Sequence, residues 1–262
     1  MRADVLQRCL AGIAACLLVT SCSSSPGGRA GAARLTIFAA SSLTAAFARI
    51  GSDFEALHPG VTVTFNFGAS GDLAAAIRSE GTADVFASAS DTYMTDVSDE
   101  VGVSDLADFA RNELVVITPS GNPANITGLD DLTAPDVQVV LAADGVPVGD
   151  YARQSLESEG IEQDVLANVV SYEEDDASLV AKIIAGEAEA AIVYVSDVTN
   201  AVAPDVVTVA IPDAVNVVAS YPIAVMSSST HVGLARSFVS YVTGSGGQAT
   251  LADFGFLPPP AA

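Results

Sequence analysis

From about residue 34 onward the chain repeats one pattern: a short apolar run, a cluster of small or turn-forming residues, then a segment with apolar residues at three- and four-residue spacing. The runs predict strands at 34–39, 61–67, 84–88, 114–118, 137–142, 168–172, 190–194 and 206–211, with a late extended stretch at 215–226. The helical spacing predicts helices at 43–57, 72–79, 92–99, 150–159, 177–187 and 232–242. Strands that alternate with helices are joined by crossovers, and these build parallel βαβ units into an α/β sheet. Helix punctuation agrees. The first helix opens at Ser41-Ser42, carries Leu43, Phe47, Ile50, Phe54 and Leu57 on one face, and stops at His58-Pro59-Gly60.

Turn residues break the pattern at Thr118-Pro119-Ser120-Gly121-Asn122-Pro123, and Ser220-Tyr221-Pro222 offers a second break. Two lobes joined by two such crossings form a hinged clamp with its site in the cleft. The expected division is 34–117 with 222–262 as lobe 1 and 118–221 as lobe 2.

The first twenty-odd residues do not belong to this fold. Arg2 and Arg8 precede an apolar run, 9–19, well short of the roughly twenty residues that span a bilayer, and small residues follow. That reads as a signal peptide over 1–21. The segment Leu18-Val19-Thr20-Ser21-Cys22 resembles a bacterial lipobox, in which the cysteine becomes the acylated first residue of the mature protein; an ordinary secretory leader with a chance Cys22 is the alternative. Residues 22–33, rich in Ser, Gly and Ala, read as a flexible tether. Cys9, Cys16 and Cys22 are the only cysteines, so the folded body holds no thiol, disulfide or cysteine metal ligand.

A formal net charge of −22 argues against a nucleic-acid partner, whose phosphates need a basic surface. It does not argue against a small anion, because surface charge is screened over about 8–10 Å while a closed site answers to its own donors. Three places set small polar residues where a strand ends and a helix begins: Ser41-Ser42, Ser70-Gly71 and the turn Asp144-Gly145-Val146-Pro147-Val148-Gly149. Ligands of open α/β sheets bind there, and helix N-termini favour anions. Glu173 to Ala177 opens a further helix, and Tyr194 closes the apolar strand Ala191-Ile192-Val193. None of these segments carries Lys or Arg. Neutral donors without acceptors suit a fully deprotonated oxyanion, with size left to discriminate among such anions. Against this stands the plain alternative that a serine at a helix start is an N-cap and a buried tyrosine a packing residue.

Six stretches in order then resemble the molybdate-binding proteins of ABC importers: Phe38-Ala39-Ala40-Ser41-Ser42-Leu43-Thr44, Phe67-Gly68-Ala69-Ser70-Gly71-Asp72-Leu73, Ala83-Asp84-Val85-Phe86-Ala87-Ser88-Ala89, Val146-Pro147-Val148-Gly149-Asp150-Tyr151-Ala152, Ile192-Val193-Tyr194-Val195-Ser196-Asp197 and Tyr221-Pro222-Ile223-Ala224-Val225. The resemblance covers the whole mature chain. It implies a two-lobed periplasmic-binding-protein-like (type II) fold, each lobe a mixed, mostly parallel sheet flanked by helices. It implies molybdate or tungstate as ligand, no cofactor, ABC permease subunits as partners, a monomer, and a lipoprotein on the outer face of the cytoplasmic membrane. The matching oxyanion-binding positions are Ser42, Ser70, Val148, Asp176 and Tyr194, with Ser41 able to assist; molybdenum enters only as the centre of its oxyanion. Val148 and Asp176 would act through N–H alone. Both depart from the family pattern. Val148 stands where alanine is common and adds bulk. Asp176 stands where an aliphatic residue is common, and a carboxylate beside a dianion repels it unless it faces solvent or caps its own helix.

Sulfate and phosphate binders are the nearest competitors; ferric-ion binders need paired tyrosines, and Tyr194-Val195 supplies one. A serine hydrolase needs a base, yet only His58 and His231 exist and no G-x-S-x-G elbow occurs, so no enzyme is expected. Glu173-Glu174-Asp175-Asp176 lacks the spacing of a calcium loop and reads as a solvated helix start. A surface lipoprotein serving adhesion or signalling is the third reading, and it would lack tight oxyanion binding.

Overall fold

The computed structural model describes residues 33–260. The leader, the lipobox cysteine Cys22 and the tether lie outside the described residues, apart from Ala33.

The elements run in chain order β1 (Ala33–Ala40), a 3-10 turn (Ser41–Leu43), α1 (Thr44–Leu57), β2 (Val61–Gly68), α2 (Ser70–Glu80), β3 (Val85–Ala87), α3 (Asp91–Glu100), β4 (Val103–Asn112) and β5 (Leu114–Pro119). After a second 3-10 turn come β6 (Val139–Ala142), α4 (Pro147–Glu159), α5 (Glu162–Leu166), β7 (Val169–Glu173), α6 (Asp176–Ile184) and β8 (Ala190–Tyr194). A third such turn (Val195–Asp197), β9 (Val206–Ala210), β10 (Ala219–Met226), α7 (Val232–Thr243) and α8 (Ser245–Asp253) complete the described chain.

Two five-stranded sheets result, ordered β2-β1-β3-β10-β4 and β7-β6-β8-β5-β9. In each, three strands run parallel and the fourth is antiparallel to its neighbours. The alternating pattern predicts parallel α/β units, and the two-lobed, mixed-sheet architecture is the one that the family resemblance implies. Helices pack on the sheets, so the central strands are buried on both faces: β8, parallel to β6, is buried along its whole length, and Leu114 to Thr118 of the antiparallel β5 likewise, whereas the edge strand β2 alternates between half-buried and exposed residues over most of its length. Helix α1 buries Ala46, Phe47, Ile50 and Phe54, and Phe47 packs its ring against Phe65, Phe109 and Phe238. Leu57, expected on the same apolar face, is exposed where the helix ends.

The crossings differ from expectation. Strand β5, assigned by its position to lobe 1, pairs with β8 and β9 in the second sheet, so the chain changes sheet at Glu113. The Pro119–Pro123 turn is a bend within the second lobe, made possible by left-handed backbone at Gly121 and Asn122. The second crossing spans residues 211–218, and Ser220-Tyr221-Pro222 lies inside β10. Pro222 is accepted in that central strand because the pairing with β4 slips at Tyr221/Pro222. The two crossings are tied to each other: the Asn216 side chain accepts from the Leu114 N–H at 3.1 Å and donates to the Leu114 carbonyl at 2.9 Å.

Strand β4 was not expected. Its alternation is masked by Asp105, Asp108 and Arg111, and Asp105 adopts left-handed backbone, as suits an edge strand with an irregular partner.

Candidate oxyanion site

The carboxyl ends of β1 and β2 deliver the two serines. Ser42 lies in the 3-10 turn after β1 and Ser70 is the first residue of α2, and both are buried. Neither hydroxyl caps its helix, so the plain N-cap explanation fails for this pair. The Ser42 hydroxyl instead pairs with the Tyr221 hydroxyl at 2.9 Å, and Ser70 Oγ accepts the Ala89 N–H at 3.1 Å. Both are therefore held in fixed rotamers with capacity left for one more partner.

The second sheet faces them with α4, α6 and Tyr194. Helix α4 begins at Pro147, three residues earlier than expected, which places Val148 in the first turn, where N–H groups have no partner within the helix. Val148 is wholly buried. Gly149 is required beside it, because a Cβ there would stand 2.6 Å from the Ala142 carbonyl oxygen of β6. Across the cleft, a Cβ on Gly71 would stand 2.8 Å from the Gly145 carbonyl oxygen and 3.2 Å from the Tyr93 ring. The start of α2 and the turn leading to α4 thus lie close against each other.

Tyr194, at the end of β8, is fully buried and its hydroxyl has no hydrogen-bond partner among the described residues. Burial pushes the Tyr194 phenol well above its usual range, so this hydroxyl stays protonated and is a donor. Its ring meets that of Tyr221 edge-on at 5.9 Å. Tyr221 in turn accepts from Asn112 Nδ2 at 3.3 Å, and the same amide donates to Ser196 Oγ at 2.8 Å. Tyr221, Asn112 and Ser196 were not singled out as site residues. Asn112 sits at the end of the unforeseen β4, and Tyr221 was visible only as part of a quoted stretch.

Asp176 departs furthest from expectation. Its helix α6 is capped by Asp175, whose side chain accepts the Ser178 N–H at 2.7 Å. Asp176 therefore neither caps its helix nor faces solvent: it is 4% exposed. The Ser41 hydroxyl donates to its Oδ2 at 2.5 Å, joining the two sheets' helix starts, while Oδ1 is buried without a partner among the described residues. The reading of 173–176 as a wholly solvated helix start is corrected accordingly. Burial pushes the Asp176 carboxyl up to about 6, helped by the Asp175 charge and opposed by the Ser41 hydroxyl and the N–H groups of Asp176 and Ser42. Asp197, which accepts the Tyr194 N–H at 2.9 Å, is raised well above the carboxylate range by burial and by Asp176. Ser41, Ser42, Asp176, Ser196 and Asp197 share the wall of a cavity of about 350 Å³ whose outer side is apolar.

The two histidines are engaged elsewhere. His58 bonds the Phe54 carbonyl at 2.9 Å and stacks on its ring, and His231 lies 3.4 Å from Asp84.

A family model described as bacterial extracellular solute-binding protein matches residues 35–257. The molybdate-binding protein ModA of Mycobacterium tuberculosis is 39% identical over 252 residues, which cover 95% of this chain and 94% of that protein. The protein of the same name from Escherichia coli is 28% identical over 231 residues, 85% of this chain and 88% of that one. The periplasmic molybdate-binding protein of Azotobacter vinelandii shares the fold, with a TM-score of 0.76 over 86% of this chain and all of the other, at 17% identity. This chain belongs to the bacterial extracellular solute-binding protein family and is a relative of the molybdate-binding protein ModA.

Proposed function

We propose that this protein captures molybdate, or the closely similar tungstate, outside the cytoplasm and presents it to the membrane subunits of an ABC importer. One observation supports the reading: Ser42, Ser70, Val148, Asp176 and Tyr194 all stand buried at strand ends or helix starts of the two sheets, and these five positions bring no Lys or Arg. The Ser42 and Ser70 hydroxyls and the Tyr194 phenol supply donors to the oxyanion oxygens. The Val148 and Asp176 N–H groups add two more from the second lobe, and Ser41 assists from the first. Contacts from both lobes favour the closed form, and closure is what a permease can recognise. The protein acts by binding, without a chemical step, and as a monomer. Acylation of Cys22 would hold it at the membrane through the tether, a matter that mass spectrometry of the native protein decides.

Calorimetric titration with molybdate, tungstate, sulfate and phosphate tests the reading. One-to-one binding of the first two, with the other two silent, is expected. Preference for sulfate or phosphate would reassign the ligand, and silence with all four would leave a cleft of another purpose.

A further inference from the structure

We infer that the Asp176 carboxylate is an intramolecular rival of the oxyanion, seated on donors that the incoming anion needs and setting the affinity of the site from within. This rests on the site assignment above. The geometry behind it is independent of any titration. Asp175 already caps α6, so the fold does not require an acid at position 176. The side chain is nonetheless buried, with Ser41 Oγ–H donating to Oδ2. Ser41 is among the groups assigned to the ligand and adjoins Ser42, so the donors at this helix start have two claimants.

The surroundings do nothing to neutralise this carboxylate. The titratable groups in electrostatic contact with it are Asp175 on its own helix, Asp197 after β8, Tyr194 at the end of β8 and Tyr221 on β10, two acids and two phenols, with no cation among them. Its Oδ1 finds no partner among the described residues. A dianion entering the site meets a like charge at contact distance, or else turns the side chain outward into the cavity bordered by Val180 and Ile184. Either course subtracts from binding. Burial also lifts this carboxyl toward neutrality, which is consistent with a charge held in an unfavourable place.

Molybdate titration of the wild type, Asp176→Ala and Asp176→Asn near neutral pH tests the inference. Both variants are expected to bind at least about fivefold more tightly than the wild type, since each removes the like charge and the asparagine keeps the shape. Wild-type binding with both variants equal or weaker overturns the rivalry while leaving the oxyanion site in place. Silence from all three proteins overturns the site assignment together with the inference.

Discussion

The two halves of the proposed site are built alike and satisfied differently. On the first sheet, Ser42 and Ser70 each have a partner already, Tyr221 and the Ala89 N–H, and stand ready in fixed geometry. On the second, the Tyr194 hydroxyl and Asp176 Oδ1 are buried with no partner among the described residues. Buried polar atoms are normally paired, and an orphan costs about 1–3 kcal/mol. The first half is thus a finished surface, whereas the second stores unmet hydrogen-bonding capacity. On the proposed site assignment, a ligand gains most by completing the second half, where unmet hydrogen-bonding capacity lowers the stability of the protein.

Breaking the second half at its backbone is expected to have the largest effect. Gly149→Val puts a side chain against the Ala142 carbonyl oxygen, which a Cβ alone would approach to 2.6 Å. Thermal unfolding should show a loss on the order of 3 kcal/mol, whereas a valine at Gly128, where nothing lies within reach of a Cβ, should cost far less.

The next effect depends on pH. Asp176 ionises at about 6 in the folded protein against an ordinary 3.8. The folded state therefore binds the proton more readily, and stability rises as pH falls from about 6 toward 3.8. The destabilisation is fully present above that window, on the order of 2–3 kcal/mol, and absent below it. Asp197 acts in the same direction. Melting temperatures at the two ends of the window should converge in Asp176→Asn relative to the wild type. An equal pH slope in both proteins would show that Asp176 is not the unmatched charge.

Serine removal sharpens the contrast from the other side. Ser42→Ala and Ser70→Ala should each weaken oxyanion binding by about 1–3 kcal/mol, roughly five- to 150-fold in Kd. Each also strands a former partner, Tyr221 or the Ala89 N–H, so stability should fall as well. Tyr194→Phe should behave oppositely in stability. Its hydroxyl has no partner to lose, so the melting temperature should hold or rise while binding weakens by about 1 kcal/mol. A drop in stability equal to that of the serine variants would erase the distinction between the halves.

Much of this was legible in the residues. The 3.6- and 2-residue periods gave nine of the strands in outline because apolar cores repeat with the geometry of the element. The serine positions stood out because strand-to-helix turns in α/β sheets are where small polar residues gather. The crossings were misplaced for a physical reason. A change of sheet at Glu113 needs no Gly or Pro, since β4 and β5 run on through one extended residue, while the conspicuous Pro119–Pro123 bend stays inside one lobe. The fate of Asp176 was hidden too. Whether Asp175 or Asp176 caps α6 is a difference of one residue in the helix start, and that single step decides which carboxylate is solvated and which is buried against Ser41.

The most direct test of a shared, two-sided oxyanion site is a crystal structure grown with molybdate, with the metal located by its anomalous scattering. A single peak enclosed by Ser42, Ser70, Val148, Asp176 and Tyr194, its oxygens within hydrogen-bond reach of donors from both sheets, is the expected result. A peak bound by one sheet alone, or lying away from these residues, would contradict it.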